Sequence, residues 1–191
     1  MIKPPVFDSI DSYAARLGDV AYWRPYAEAA LAGSGLSDIA LDGGFEGTYP
    51  TLVGEQLVVK LFGCFPGWRE SVDAEMAANR LIEKIDQISA PRIVASGRLF
   101  PGDESDWPFL ITERLNGKAW REAELEAAAA ESVASQLGAQ IRFLHNSGPV
   151  DLTGGRDDWI AAHGGEALER HREWGTLPDH LINQIPDYGL Q

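Results

Sequence analysis

The chain has 191 residues, is 45% hydrophobic and 24% charged, and carries a formal net charge of −13. That length allows one domain with a real core, or one and a half small lobes. The charge argues against a nucleic-acid partner, whose phosphates require Lys and Arg; an acidic solvated surface accounts for it, and a cationic small-molecule substrate is compatible with it.

Taken in chain order, Asp8 to Leu17 reads as a short capped helix and Tyr22 to Ala32 as a second, ended by Gly33-Ser34-Gly35. Leu36 to Leu41 reads as a short strand, followed by a turn at Gly43-Gly44. Thr48 to Val53 and Gln56 to Phe62 read as strands joined by a tight hairpin at Gly54-Glu55. In Trp68 to Ile85 the apolar residues Val72, Met76, Ala77, Leu81 and Ile85 fall on one helical face, and Ala90-Pro91 stops the pattern. Arg92 to Phe100 is a strand, Pro101 to Asp106 an acidic loop and Trp107 to Leu115 another strand. Glu122 to Asn146 is a long helix with Val133, Leu137, Ile141 and Leu144 on one face, and helical stretches are expected around Trp159 to Trp174.

Cys64 is the only cysteine, so no internal disulfide forms, and a reducing cytoplasm is the simplest home. Met1 to Ser9 lacks an apolar signal core, and no apolar run is long enough to span a bilayer, so no membrane partner is expected.

The order is helices, three strands, one helix, two strands, then helices. It predicts an α+β fold built on a five-stranded antiparallel sheet with one packed helix, the layout of a protein-kinase small lobe. Six segments match one family in order and spacing: Gly44 to Thr51, Val58 to Phe62, Ala74 to Leu81, Ala90 to Ile93, Phe109 to Gly117 and Leu137 to His145. On these segments the chain resembles the aminoglycoside phosphotransferase family, the small-molecule branch of the protein-kinase-like fold. The resemblance implies N-terminal helices over 1–35, a nucleotide-binding lobe over 36–117, and the start of an incomplete helical lobe over 118–191.

It also implies roles. Lys60, alone among apolar neighbours in Gln56 to Phe62, would reach the α- and β-phosphates of ATP, held by a glutamate of the next helix. Glu75 is the candidate, with Glu70 and Asp73 as rivals; an edge-strand lysine facing solvent is the plain alternative. The loop Gly44 to Thr51 would cover the phosphates through Gly44, Gly47 and Thr48, or be an ordinary hairpin turn. Phe109 to Gly117 resembles the hinge, where the Glu113 carbonyl and the Leu115 amide would meet adenine, with Ile111 or Phe109 walling the base.

The family's catalytic loop is His-Gly-Asp with a later Asn and Asp, which orient the acceptor hydroxyl and hold magnesium. Its pattern does not occur in this sequence: His163-Gly164 is followed by Gly165, and Asp179 and Asn183 follow no His-Gly pair. No catalytic residue and no metal ligand is therefore assigned. The expectation is an ATP-side lobe without the half that does the chemistry, acting on a small hydroxylated molecule when completed, and self-associating or met by a completing chain. A non-catalytic nucleotide- or partner-binding module is the alternative.

Overall fold

The computed structural model describes residues 2–45, 47–102, 104, 106–118 and 120–146, together with Arg172, Glu173, Pro178, His180 and Asn183. The chain divides into two compact units, Met1–Val150 and Asp151–Gln191. The segment around His163, the helical stretches expected from Trp159 to Trp174 apart from Arg172 and Glu173, and Asp179 lie outside the described residues.

Two helices open the first unit. α1 (Ile10–Ala14) starts from a reciprocal cap in which Ser9 and Ser12 each accept the other's backbone N–H. α2 (Val20–Gly33) is capped by Asp19, whose carboxylate accepts the Tyr22 amide at 3.0 Å and pairs with Arg16 at 2.6 Å. The Tyr22 amide, and then Arg16, hold the Asp19 carboxyl below its ordinary range.

α2 ends in a Schellman motif. Gly35 takes the left-handed conformation at φ 75°, its N–H reaches Ala32, and the Leu36 N–H reaches Leu31. Leu36 then packs back on the core beside Leu31. This is why the strand expected at Leu36 to Leu41 is absent: Leu36 belongs to the helix stop. The first strand, β1, is Leu41–Phe45 and includes Gly43 and Gly44, which were expected to form a turn.

Four further strands complete one sheet: β2 (Thr51–Gly54), β3 (Leu57–Leu61), β4 (Ile93–Arg98) and β5 (Pro108–Glu113). The order is β1-β2-β3-β5-β4 and every pairing is antiparallel. α3 (Trp68–Ile82) links β3 to β4, and α4 (Ala127–Asn146) follows β5 after a 3₁₀ turn at Trp120–Glu122. This is the α+β, kinase-like small lobe that the element order predicts. α4 begins at Ala127 rather than Glu122, and Val133, Leu137 and Ile141 on it are exposed. No helix among the described residues is long and apolar enough to cross a membrane.

Strand alternation gives the sheet two faces of different character. Leu52, Leu57, Val59, Leu61, Phe109 and Ile111 point to α1 and α2 and form the main core with Trp23, Ala27, Leu31 and Trp107. Lys60, Phe62 and Leu110 point to α3. There the buried cluster is small: Tyr49, Phe62 and Leu110, joined by the partly buried Trp68, Val72 and Met76.

α3 itself has no buried residue. Of the apolar face expected on it, Val72 and Met76 touch the cluster. Ile85 lies beyond the helix, where tighter i to i−3 hydrogen bonds close the chain toward Pro91.

Trp107 anchors the main core. It is 2% exposed, and its ring lies 5.5 Å from Trp23 and 6.5 Å from Phe7. Trp107→Ala should lower the free energy of unfolding by about 3–5 kcal/mol. Denaturant titration reads this directly, and a loss well under 1 kcal/mol would contradict the packing described.

Candidate functional site

The site is built on the α3-facing side of β3. Lys60 pairs with Thr51 on β2 and Leu110 on β5, so it sits in the middle of the sheet and not on its edge. Its ammonium lies 5.0 Å from the Phe62 ring centroid and 5.5 Å from that of Tyr49, a platform of two negative ring faces. Across from it, Glu75 of α3 accepts a hydrogen bond from Nζ at 2.5 Å. Glu70 and Asp73 do not take this place.

The helical period explains the choice. Glu75 lies next to Met76 and near Val72, whose side chains face the sheet, whereas Glu70 is in the first turn, where it complements the helix dipole. Asp73 lines a separate cavity of about 330 Å³ between α3 and β4.

The pair is half-buried, with side chains 28% and 32% exposed. A pair of that exposure adds little to folding, about 0–1 kcal/mol. What it does is fix a cation: a long flexible ammonium is brought to one place above an apolar floor, with part of its surface open. That arrangement suits a group that meets an anion.

The glycine-bracketed hairpin is divided between strand and turn. Gly44 lies in β1 opposite Leu52. A Cβ there would stand 3.0 Å from both the Thr51 carbonyl and a Val20 methyl, so the glycine lets α2 come close. Gly47 and Thr48 are exposed in the β1–β2 turn. Tyr49 from the same turn packs 4.9 Å from Phe62, which brings the turn beside Lys60.

Glu113 ends β5, and its N–H donates to the Arg92 carbonyl at 2.9 Å. Arg114 is tied twice to the β2–β3 hairpin, through its amide to Gln56 and its guanidinium to Gly54. Leu115 follows, exposed, and its amide makes no hydrogen bond among the described residues. The structure thus brings Lys60, Glu75 and the Thr48–Tyr49 turn together, and places Glu113 and Leu115 at the far end of β5.

One expectation is overturned. Phe109 and Ile111 are buried against α2, on the face opposite Lys60, and cannot wall a ligand beside it. Val58 and Thr112 occupy the Lys60 face instead and are paired with each other. The period-two alternation from Lys60, applied across the β3–β5 register, is the signal that finds them. Tyr49 and Phe62 were not expected in the site either; an aromatic two residues from the lysine on the same strand was the available sign.

Removing the pair should leave the fold standing. Lys60→Ala and Glu75→Gln should each change the unfolding free energy by no more than about 1 kcal/mol. Matched denaturant curves check this, and a loss of several kcal/mol would mean that the pair is a core element.

The family comparison covers both halves of this arrangement. The model of the phosphotransferase enzyme family matches residues 38–184, a span that includes the whole sheet, α3 and α4. With that match over most of its length, the chain belongs to the phosphotransferase enzyme family.

Proposed function

We propose that this chain binds ATP on the Lys60 face of the sheet and serves an ATP-dependent phosphotransferase acting on a hydroxyl of a small molecule. The observation that carries this reading is the ion pair between Lys60 and Glu75 at 2.5 Å. In phosphoryl transfer there is little covalent chemistry for a protein to do; catalysis is positioning and charge stabilisation. A held ammonium supplies both to the nucleotide.

The residues fit a nucleotide triphosphate. Lys60 retains open surface for the α- and β-phosphate oxygens, and Glu75 keeps the ammonium in place. The amides of Gly47 and Thr48, two exposed residues, are candidates for the phosphates, and the Glu113 carbonyl and Leu115 amide for adenine. In the complete reaction magnesium would neutralise phosphate charge, and no described side chain is assigned to hold it. An acceptor that is small and cationic, as an aminoglycoside is, suits a chain of net charge −13.

Binding without transfer is a second reading. It is favoured by one feature of the sequence: the family's His-Gly-Asp pattern does not occur in it, the His163-Gly164 pair being followed by Gly165.

Titration with the fluorescent analogue mant-ATP tests the site. Lys60→Ala should weaken binding by at least about tenfold, the worth of a charge-assisted hydrogen bond. Equal affinity in wild type and variant would sink the reading. ADP release from ATP and magnesium with a panel of aminoglycosides separates the two functions. Turnover above the Lys60→Ala background would establish transfer by this chain, and mant-ATP binding without turnover would favour the second reading.

A further inference from the structure

The β1–β2 turn is gripped from both faces of the sheet. On the α3 side the Tyr49 ring, 6% exposed, packs against Phe62 at 4.9 Å and Phe65 at 6.0 Å, with the Lys60 ammonium over it. On the other side stands Tyr13 of α1. Its hydroxyl donates to the Thr48 carbonyl at 3.2 Å, across 35 residues of sequence. Among the described residues, this is the one side-chain hydrogen bond that reaches the turn from outside the hairpin.

Tyr13 is itself immobilised. It is fully buried, with Phe7 edge-on at 5.3 Å and Trp23 at 6.2 Å, and its helix starts from the Ser9–Ser12 cap. Burial, and then the neighbouring Cys64 and Tyr49, push the phenol well above its ordinary range, so the hydroxyl keeps its proton and remains a donor.

We infer that Tyr13 is a positioning residue that fixes the β1–β2 turn over Lys60 and makes the N-terminal helices part of the nucleotide site. This rests on the reading of the Lys60 face as the place where ATP binds. The physical reason is preorganisation. Gly47 and Thr48 have no side-chain packing of their own, and a turn free to wander must give up that freedom on binding. A turn already held at a carbonyl below and an aromatic ring above has given it up on folding. Without Tyr13 a bound triphosphate would have to order the turn itself.

A tyrosine that merely satisfies its hydroxyl in the core is the competing account, so the test needs a matched control. Tyr22 belongs to the same aromatic cluster, 4.9 Å from Trp23 and 6.0 Å from Tyr26, and among the described residues no hydrogen bond joins its side chain to the turn. Tyr13→Phe and Tyr22→Phe each remove one hydroxyl and keep the ring. Amide hydrogen exchange over residues 46–51 and the mant-ATP dissociation constant are measured in wild type and in both variants.

Exchange in the turn should rise about five- to tenfold in Tyr13→Phe alone, the scale of one hydrogen bond. Mant-ATP should bind that variant roughly three- to tenfold more weakly, while both variants melt at similar temperatures. Unchanged exchange and affinity in Tyr13→Phe, or the same losses in Tyr22→Phe, would overturn the role. Wild-type chain that takes no mant-ATP overturns the nucleotide reading and this role with it. That failure is distinct from wild-type binding that Tyr13→Phe leaves intact, which overturns the role alone.

Discussion

The contact between Lys60 and Glu75 ties together parts of the molecule that share little else. β3 belongs to the sheet's interior, held by ladders on both sides. α3 has no buried residue and touches the sheet chiefly through Trp68, Val72 and Met76. A helix with so little apolar contact gains little from burial, which is the main stabilising term in folding. Glu75 is therefore carried by an element that the core does not clamp, and the ion pair is its specific link to the sheet. The position of α3 and the readiness of Lys60 are two aspects of one interaction.

The opposite face explains how such a loose arrangement stays in register. Rings of Phe7, Tyr13, Tyr22, Trp23, Tyr26, Phe100 and Trp107 form a continuous cluster joining the N-terminal helices to the β4–β5 hairpin. That packing supports local strain. Asp106 and Trp107 both adopt positive φ, at 51° and 46°, which residues with a Cβ avoid at a cost of roughly 1–3 kcal/mol each. The Asp106 carboxylate offsets part of it by accepting the Gly102 amide and the Arg98 guanidinium, and Trp107 offsets more by its burial. The rigid face sets β5, β5 sets β3, and β3 presents Lys60.

The sheet was legible in the sequence because its signals are local. A short apolar run rich in β-branched residues marks β3, the Gly54-Glu55 pair marks its hairpin, and Pro91 separates α3 from β4. Lys60 and Glu75 were legible for another reason: a lysine in an apolar strand followed by an acidic helix face fits a resemblance whose segments occur in order. What failed was where one pattern served two elements. Leu36 looks like the first residue of a strand, yet its amide closes the stop of α2. Gly43-Gly44 looks like a turn, yet it lies in a strand that glycine allows α2 to approach. Phe109 and Ile111 looked like ligand walls because their segment resembles a hinge; only the register from Lys60 to Leu110 shows that they face away. The bond from Tyr13 to Thr48 spans too much sequence for any local pattern to announce it.

Partial exposure of the pair is a requirement of the proposed site and not a defect of the fold. A fully buried lysine and glutamate would face a desolvation cost that their attraction repays only with further hydrogen bonds, and no phosphate could reach the ammonium. A fully exposed pair would be screened and would not hold still. Near 30% exposure, Lys60 keeps one side on the Tyr49 and Phe62 rings and against Glu75, and leaves another toward solvent. Stability and use therefore separate: the pair contributes little to folding because water still reaches it, and the same access lets an anion reach it. The rigidity that a binding site needs must then come from elsewhere, and the aromatic face, acting through the sheet and through the turn that Tyr13 touches, is the element with enough packing to provide it.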